Sequence, residues 1–237
     1  MQGGPLVRDV LWPQLDEAER RLLPDLEPWL ALADLAARLA VLWPEDAGES
    51  EVVVDRDASV VGAHIAARRV HVGEGCHIEP GAVLVGEDIV LMPGATIRAH
   101  AYVRGPAYLG PGALVGHASE VKNAILLAGA KAPHFNYVGD SILGPGVNLG
   151  AGTKLSNFRL DGREVKITWE GVRRRSGTRK LGALLGEGVQ VGCNAVLNPG
   201  TILGPGCHVA PCAAVGGTHL EAGILPAGGA RPLPSTP

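Results

Sequence analysis

A period of six residues governs most of this chain and limits what it can become. Aliphatic or small residues fall at Val54, Val60, Ala66, Val72, Ile78 and Leu84, and after one inserted residue at Leu91, Ile97, Val103, Leu109, Val115, Val121 and Leu127. The series returns at Leu143, Leu149 and Leu155, and again from Leu185 through Val191, Leu197, Leu203 and Val209 to Val215. Six matches neither the 3.6 of an amphipathic helix nor the 2 of one long strand. It fits a short strand and a tight turn, repeated, with three units closing one triangular coil. Gly tends to follow the aliphatic position, as in VGEGCH, LGPGAL and LGAGTK, and supplies backbone angles that other residues resist. Composition agrees: 34 Gly, 18 Pro and only 4 % aromatics suit a narrow core with frequent turns. Coils stacked at ~4.8 Å, roughly seven of them, predict an all-β parallel β-helix on the order of 35 Å tall. Periodicity leaves its hand open, and the crossover rule alone would favour right-handed connections.

The repeat assigns residues 51–216 to the β-helix, 1–50 to an N-terminal segment and 217–237 to a tail expected to be an irregular wrap or partly disordered. In the N-terminal segment, Leu26, Trp29, Leu30, Leu35, Leu39 and Leu42 form an apolar stripe that predicts a helix over 24–42, ended by Trp43-Pro44. That helix would cap the open first coil or recruit a partner. Two interruptions stand out. From Leu127 to Leu143 the hexad is two residues short of a full coil, and the gap holds PHFNYVGD. Between Leu155 and Leu185 lies a polar stretch that cannot fill a narrow core. It predicts an extruded basic loop over 158–182 with a hairpin in REVKITWEGVRR. Its cations, among them Arg163, Lys166 and the Arg173–Arg175 run, suit a phosphate clamp or a solvated surface.

A net charge of −3 does not recommend a nucleic-acid partner. No apolar run is long enough to span a membrane, and the first residues do not read as a signal peptide, so a cytoplasmic protein is expected. Cys76, Cys193, Cys207 and Cys212 form no C-x-x-C pair and read as reduced, small core residues. His64, His71, His77, His208 and His219 read as surface residues. His100, His117 and His134 recur every seventeen residues, but their phases against the hexad differ. They are expected to diverge in direction and to bind no metal. His134 sits in the interrupted coil beside Asn136 and Tyr137, and is the candidate for chemistry.

The stretch GHASEVKNAILLAGAKAPHFNYVGDSILGPGVNLGAGTKLSNF resembles the acetyltransferase domain of the bacterial bifunctional enzyme that makes UDP-N-acetylglucosamine. NFRLDGREVKIT and RKLGALLGEGVQVG are similar to the archaeal sugar-1-phosphate nucleotidylyltransferase/acetyltransferases. The resemblance covers about Val52 to Val215, and its specific part is the ordered set from Glu120 to Lys166. It implies a left-handed β-helix, a homotrimer with intersubunit active sites, acetyl-CoA as acyl donor, and an amino-sugar phosphate (glucosamine-1-phosphate or galactosamine-1-phosphate) as acceptor. By resemblance His134 is the general base, and Ala151 offers a backbone N–H to the thioester carbonyl. Tyr137, Asn148 and Asn157 hold the sugar, Glu120 hydrogen-bonds it, and Lys122 and Arg104 bind phosphate. Arg163 and Lys166 match two basic positions of the archaeal loop, Arg163 standing where the family has a lysine. Coils from Val191 to Cys212, with Cys193 and Pro211, form the coenzyme A groove. No metal is needed for this chemistry. No segment resembles the nucleotide-binding domain of those enzymes, so the chain reads as a detached second domain. An acyltransferase acting on a nucleotide-linked sugar or small amine, a non-catalytic sugar-phosphate-binding scaffold, and a zinc hydratase are the alternatives.

Overall fold

A computed structural model describes residues 7–43 and 51–227. The hexads build a left-handed parallel β-helix with three faces. The first face stacks Val54, Val72, Leu91, Leu109, Leu126, Leu143, Leu185 and Leu203 in register. The second stacks nine strands, from Ser59–Val60 to Ile224–Leu225. The third carries Leu84, Val103, Val121, Val138, Leu155, Leu197 and Val215. From Val70 onward these inward side chains are nearly all inaccessible to solvent. Each contributes ~1.5–3 kcal/mol before entropy is subtracted.

Three expectations about the coil need correction. The inward residue is Leu126, not Leu127: Leu126 pairs with Leu109 and Leu143, while Leu127 is buried outside the prism. The sequence offers two adjacent leucines and no local means of choosing between them. With Leu126 inside, the ladder continues through Ala132 and Val138, so the coil holding His134 is short by a single residue and the hexad runs through it. The stack is also taller than seven coils. Part of the stretch read as tail rejoins it, Thr218–His219 on the first face and Ile224–Leu225 on the second. The rest of that tail, 228–237, lies outside the described residues.

The first face is apolar on both sides. Behind its inward ladder runs an outward one, Val90, Tyr108, Ile125, Ile142, Leu184 and Ile202, in register and fully buried. The cover comes from two places. The N-terminal segment is not one helix over 24–42. It contains short helices at Val7–Leu11, Glu17–Leu22 and Leu35–Ala40 and a 3-10 turn at Pro28–Leu32. Trp12, Trp29, Leu35 and Leu39 are buried there, while Leu26 and Leu30 are exposed. The segment lies along the side of the prism rather than across its first coil. Leu35–Ala40 packs on the strands of Val83–Leu91 and Tyr102–Leu109, and the Trp12 indole donates to the Leu185 carbonyl at 2.7 Å. Val54, in the first coil, remains 48 % exposed.

The second cover is the expected hairpin, Lys166–Trp169 paired antiparallel with Val172–Arg175. It is not wholly extruded. Val165, Ile167 and Trp169 are buried in the same outer cluster, and Lys166 projects to solvent. The prism keeps its register around this excursion: Leu143 pairs directly with Leu185.

Candidate active site

The corner between the second and third faces gathers much of what the sequence singled out. Two residues after each inward residue of the second face come His117, His134, Ala151, Cys193 and Pro211, one per rung. Register links these rungs through Val115, Ala132, Leu149, Val191 and Val209. His134, Cys193 and Pro211 are exposed and Ala151 is half-buried. This corrects the reading of all four cysteines as core residues: Cys76 and Cys207 are buried, Cys193 and Cys212 exposed, and all four are free thiols.

Asn136 shapes this corner, a residue the sequence reading placed beside His134 but gave no task. Its side-chain oxygen accepts from the His134 backbone N–H at 3.0 Å, and its amide donates to the Gly150 carbonyl at 2.8 Å. The His134 carbonyl accepts from Gly152 N–H at 2.9 Å. The turn carrying His134 is thus tied to the turn carrying Ala151. Among the described residues no hydrogen bond engages the His134 imidazole or the Ala151 N–H, so both remain available to a ligand.

His100 and His117 do not diverge. Their rings meet edge to face at 5.6 Å, and His117 meets Phe135 in the same way at 5.6 Å. His100 takes left-handed backbone (φ 60°), and its ring also lies over Gly81 of the preceding rung, where a Cβ would come within 2.8 Å of it. His134 pairs in register with His117 along the strands, but its ring is not part of that stack. His71 is not a plain surface residue either: its Nε2 lies 3.0 Å from the Asp55 carboxylate. Among the described residues no group of three or more His, Cys, Asp or Glu is placed to hold a metal ion. No helix among them is long and apolar enough to cross a membrane.

Around the corner, on the third face, Tyr102, Glu120, Tyr137 and Lys154 form one outward row, and Arg104, Lys122 and Gly139 the next. A groove of about 490 Å³ opens here, lined by Glu120, Phe135, Asn136, Tyr137, Lys154, Ser156, Asn157, Phe158 and others. Lys154, Ser156 and the two phenylalanines were not singled out from sequence. Phe135 and Phe158, 58 % and 42 % exposed, were legible only as aromatics in a chain poor in them.

The two cations expected to bind phosphate are already paired. Arg104 donates to Glu120 at 2.9 Å, and Lys122 lies 3.0 Å from Asp140, whose side chain is 5 % exposed. Asp140 also accepts from Asn123 at 2.8 Å and from Asn157. Burial pushes the Tyr137 phenol above its ordinary pKa, the nearby Glu120 carboxylate adds to this, and a hydrogen bond from Asn157 opposes it. Asn148 stands on the second face, paired with Lys131 and Gln190, and does not line the groove. Arg163 and Lys166 do not line it either.

The prism of hexads defines the class: residues 182–217 match the bacterial transferase hexapeptide family (six repeats), so the chain carries a hexapeptide-repeat domain. In sequence it is similar to parts of bifunctional proteins. It is 44 % identical over 101 residues to a bifunctional sugar-1-phosphate nucleotidylyltransferase/acetyltransferase of Sulfurisphaera tokodaii, a match covering 43 % of this chain and 25 % of that protein. It is 38 % identical over 109 residues to the bifunctional protein GlmU of Methanocaldococcus jannaschii, covering 46 % of this chain and 26 % of the relative. The chain thus spans about a quarter of the length of these relatives. Among solved structures, the acetyltransferase domain of PglB from Neisseria gonorrhoeae in complex with acetyl coenzyme A is 16 % identical. That likeness covers 86 % of this chain and 65 % of that one with a TM-score of 0.25, too remote to bear on the chemistry here.

Proposed function

We infer that this chain transfers the acetyl group of acetyl-CoA to the amine of an amino-sugar phosphate, with His134 as general base. The observation that carries the reading is one corner of the prism. An exposed imidazole without a partner and a spare Ala151 N–H sit on adjacent rungs, beside a groove that sets Glu120, Tyr137 and Asn157 among aromatic and apolar surface. The similarity to the two bifunctional relatives supports the same reaction class.

The chemistry follows from the residue types. An amine must be neutral to attack a thioester, and histidine titrates near neutral pH, so it can take the amine's proton. The carbonyl carbon becomes tetrahedral and its oxygen negative, and the Ala151 N–H is suited to that charge. When the C–S bond breaks, the imidazolium returns its proton to the leaving thiolate, and N-acetyl sugar and free coenzyme A result. Cys193 and Pro211 continue the His134 column, along which pantetheine would lie. Tyr137 and Asn157 hold the sugar. A phosphate would draw Arg104 and Lys122 from their carboxylate partners, at some cost in affinity. We further propose a homotrimer, because the groove and the column are open to solvent and a neighbouring prism would wall them on one side while leaving a channel for acetyl-CoA.

The test incubates the protein with acetyl-CoA and either glucosamine-1-phosphate, galactosamine-1-phosphate or a nucleotide-linked amino sugar, and follows free thiol. Turnover with an amino-sugar phosphate is expected, and His134→Ala should lower kcat ~10²–10⁴-fold with the thermal midpoint retained. No turnover with any acceptor, from protein shown by sedimentation to be trimeric, would defeat the reading. Turnover only with nucleotide-linked acceptors would select the other acceptor class.

A further inference from the structure

The buried carboxylate of Asp140 is the most connected polar group in the neighbourhood of the groove, yet it does not face that groove. It ends the third-face strand Tyr137–Gly139 with left-handed backbone (φ 45°) and is 3 % exposed. One oxygen accepts from Asn123 at 2.8 Å; the other takes Lys122 at 3.0 Å and the Asn157 amide. Its backbone N–H donates to the Lys122 carbonyl at 2.9 Å, and its carbonyl accepts from Gly182 at 2.8 Å. The carboxylate is therefore held on the rungs before and after it and cannot turn away.

A carboxylate paired with a lysine accepts hydrogen bonds and donates none, so the group of Asn157 that faces it must be nitrogen. That nitrogen has a second hydrogen. A Cβ built on Gly139 would lie 2.6 Å from the Tyr137 hydroxyl oxygen and 2.7 Å from Asn157 Nδ2, so both atoms converge over the bare Gly139 backbone. The phenol oxygen is the acceptor that this convergence offers to the second N–H.

We propose that Asp140 is a positioning residue for the acceptor: by fixing the Asn157 amide it commits the Tyr137 oxygen as an acceptor on that side and turns the Tyr137 O–H into the groove as a donor. The relay rests on the acetyltransferase reading for its substrate. It adds that the site presents a hydroxyl donor, so the acceptor group that meets Tyr137 is a lone-pair oxygen of the sugar or its phosphate. The relay also explains why Gly139 has no side chain, since any Cβ would displace both partners.

The experiment uses the full chain and four forms: wild type, Asp140→Asn, Tyr137→Phe and the double variant, with each substrate varied in turn at a saturating level of the other. Asp140→Asn allows the Asn157 amide to face either way. The acceptor KM should rise about tenfold, the size of one lost hydrogen bond, while the KM for acetyl-CoA stays unchanged. Tyr137→Phe should match it, and the double variant should be no worse than either single change, because both remove the same contact. Additive effects, or an unchanged acceptor KM in Asp140→Asn, would overturn the relay. If Asp140→Asn does not fold, Asn157→Ala in the same cycle with Tyr137→Phe reads the same coupling. If the wild type shows no turnover, the acetyltransferase reading fails separately. Calorimetric titration with glucosamine-1-phosphate then runs the same cycle on Kd, and additivity or absence of binding to the wild type sinks the relay as well.

Discussion

Two corners of the prism turn the chain by the same device and fill it differently. Between the first and second faces, the left-handed position three residues after the inward one is glycine from the second coil onward: Gly75, Gly94, Gly112, Gly129, Gly146, Gly188 and Gly206. Between the second and third faces the equivalent position holds Gly81, His100, Ala118, Phe135, Gly152, Asn194 and Cys212, all at positive φ. A side chain in that conformation costs roughly 1–2 kcal/mol, and only glycine and, less often, Asn or Asp take it routinely. The first corner is built for turning alone. The second accepts strain at His100, Ala118, Phe135 and Cys212, and it is the corner that carries His134 and borders the groove. Strain retained where side chains meet a ligand, and absent where they do not, is the pattern expected of a functional edge.

The largest contrast between the corners should appear in thiol chemistry. Cys76 and Cys207 follow the glycine corner and are buried, and burial raises both thiol pKa values. Cys193 and Cys212 lie on the other corner and are exposed. Labelling of the native protein with a chromogenic disulfide should give two fast and two slow thiols, separated by about two orders of magnitude or more, since the slow pair must await opening of the coil. Four equal rates would break the comparison.

Next in size is Gly139→Ala. Its Cβ would push against the Tyr137 hydroxyl and the Asn157 amide, so acceptor KM should rise about tenfold or more, with little change in the thermal midpoint. Smaller is Gly112→Ala on the plain corner. Nothing lies within 4 Å of the added methyl, so the cost is conformational alone, about 1 kcal/mol by denaturant titration. The smallest stability change belongs to Phe135→Gly. Relief of strain offsets the loss of the His117 contact and the extra freedom of the unfolded chain, for a net effect within about 1 kcal/mol. Acceptor KM should nevertheless rise, because Phe135 lines the groove. A Phe135→Gly variant that loses much stability and no affinity would show that the second corner is merely irregular.

The hexad was legible because every rung repeats the same burial, so the coil and its inward ladder follow from spacing. Less legible was a residue's choice between two apolar sides. In IVL, AYL, AIL, SIL, ALL and TIL all three side chains are buried, the first and third on the prism side and the middle one beneath the N-terminal segment or the hairpin, and the hexad marks only the third. That is why Leu127 was read as inward and why the N-terminal segment was read as an end cap rather than a side cover. In the candidate site, His134, Tyr137 and Asn157 stand out in the sequence by their chemistry, and the fold places them in or beside one groove. Asp140 was passed over because a lone acid after Gly reads as a turn former, and its three side-chain partners lie on other rungs. Asn148, Arg163 and Lys166 share the motif's order but not its groove, since linear order does not say which side of a triangle a residue occupies.

The hairpin leaves the ladder after Leu155 and returns before Ala183, and Leu143 still meets Leu185 as if nothing intervened. To the stack of rungs the whole detour is silent: it changes no neighbour relation above or below it. Charge and length can therefore drift in that appendage while the scaffold's indexing is preserved, and two such chains with identical prisms could differ in what they admit.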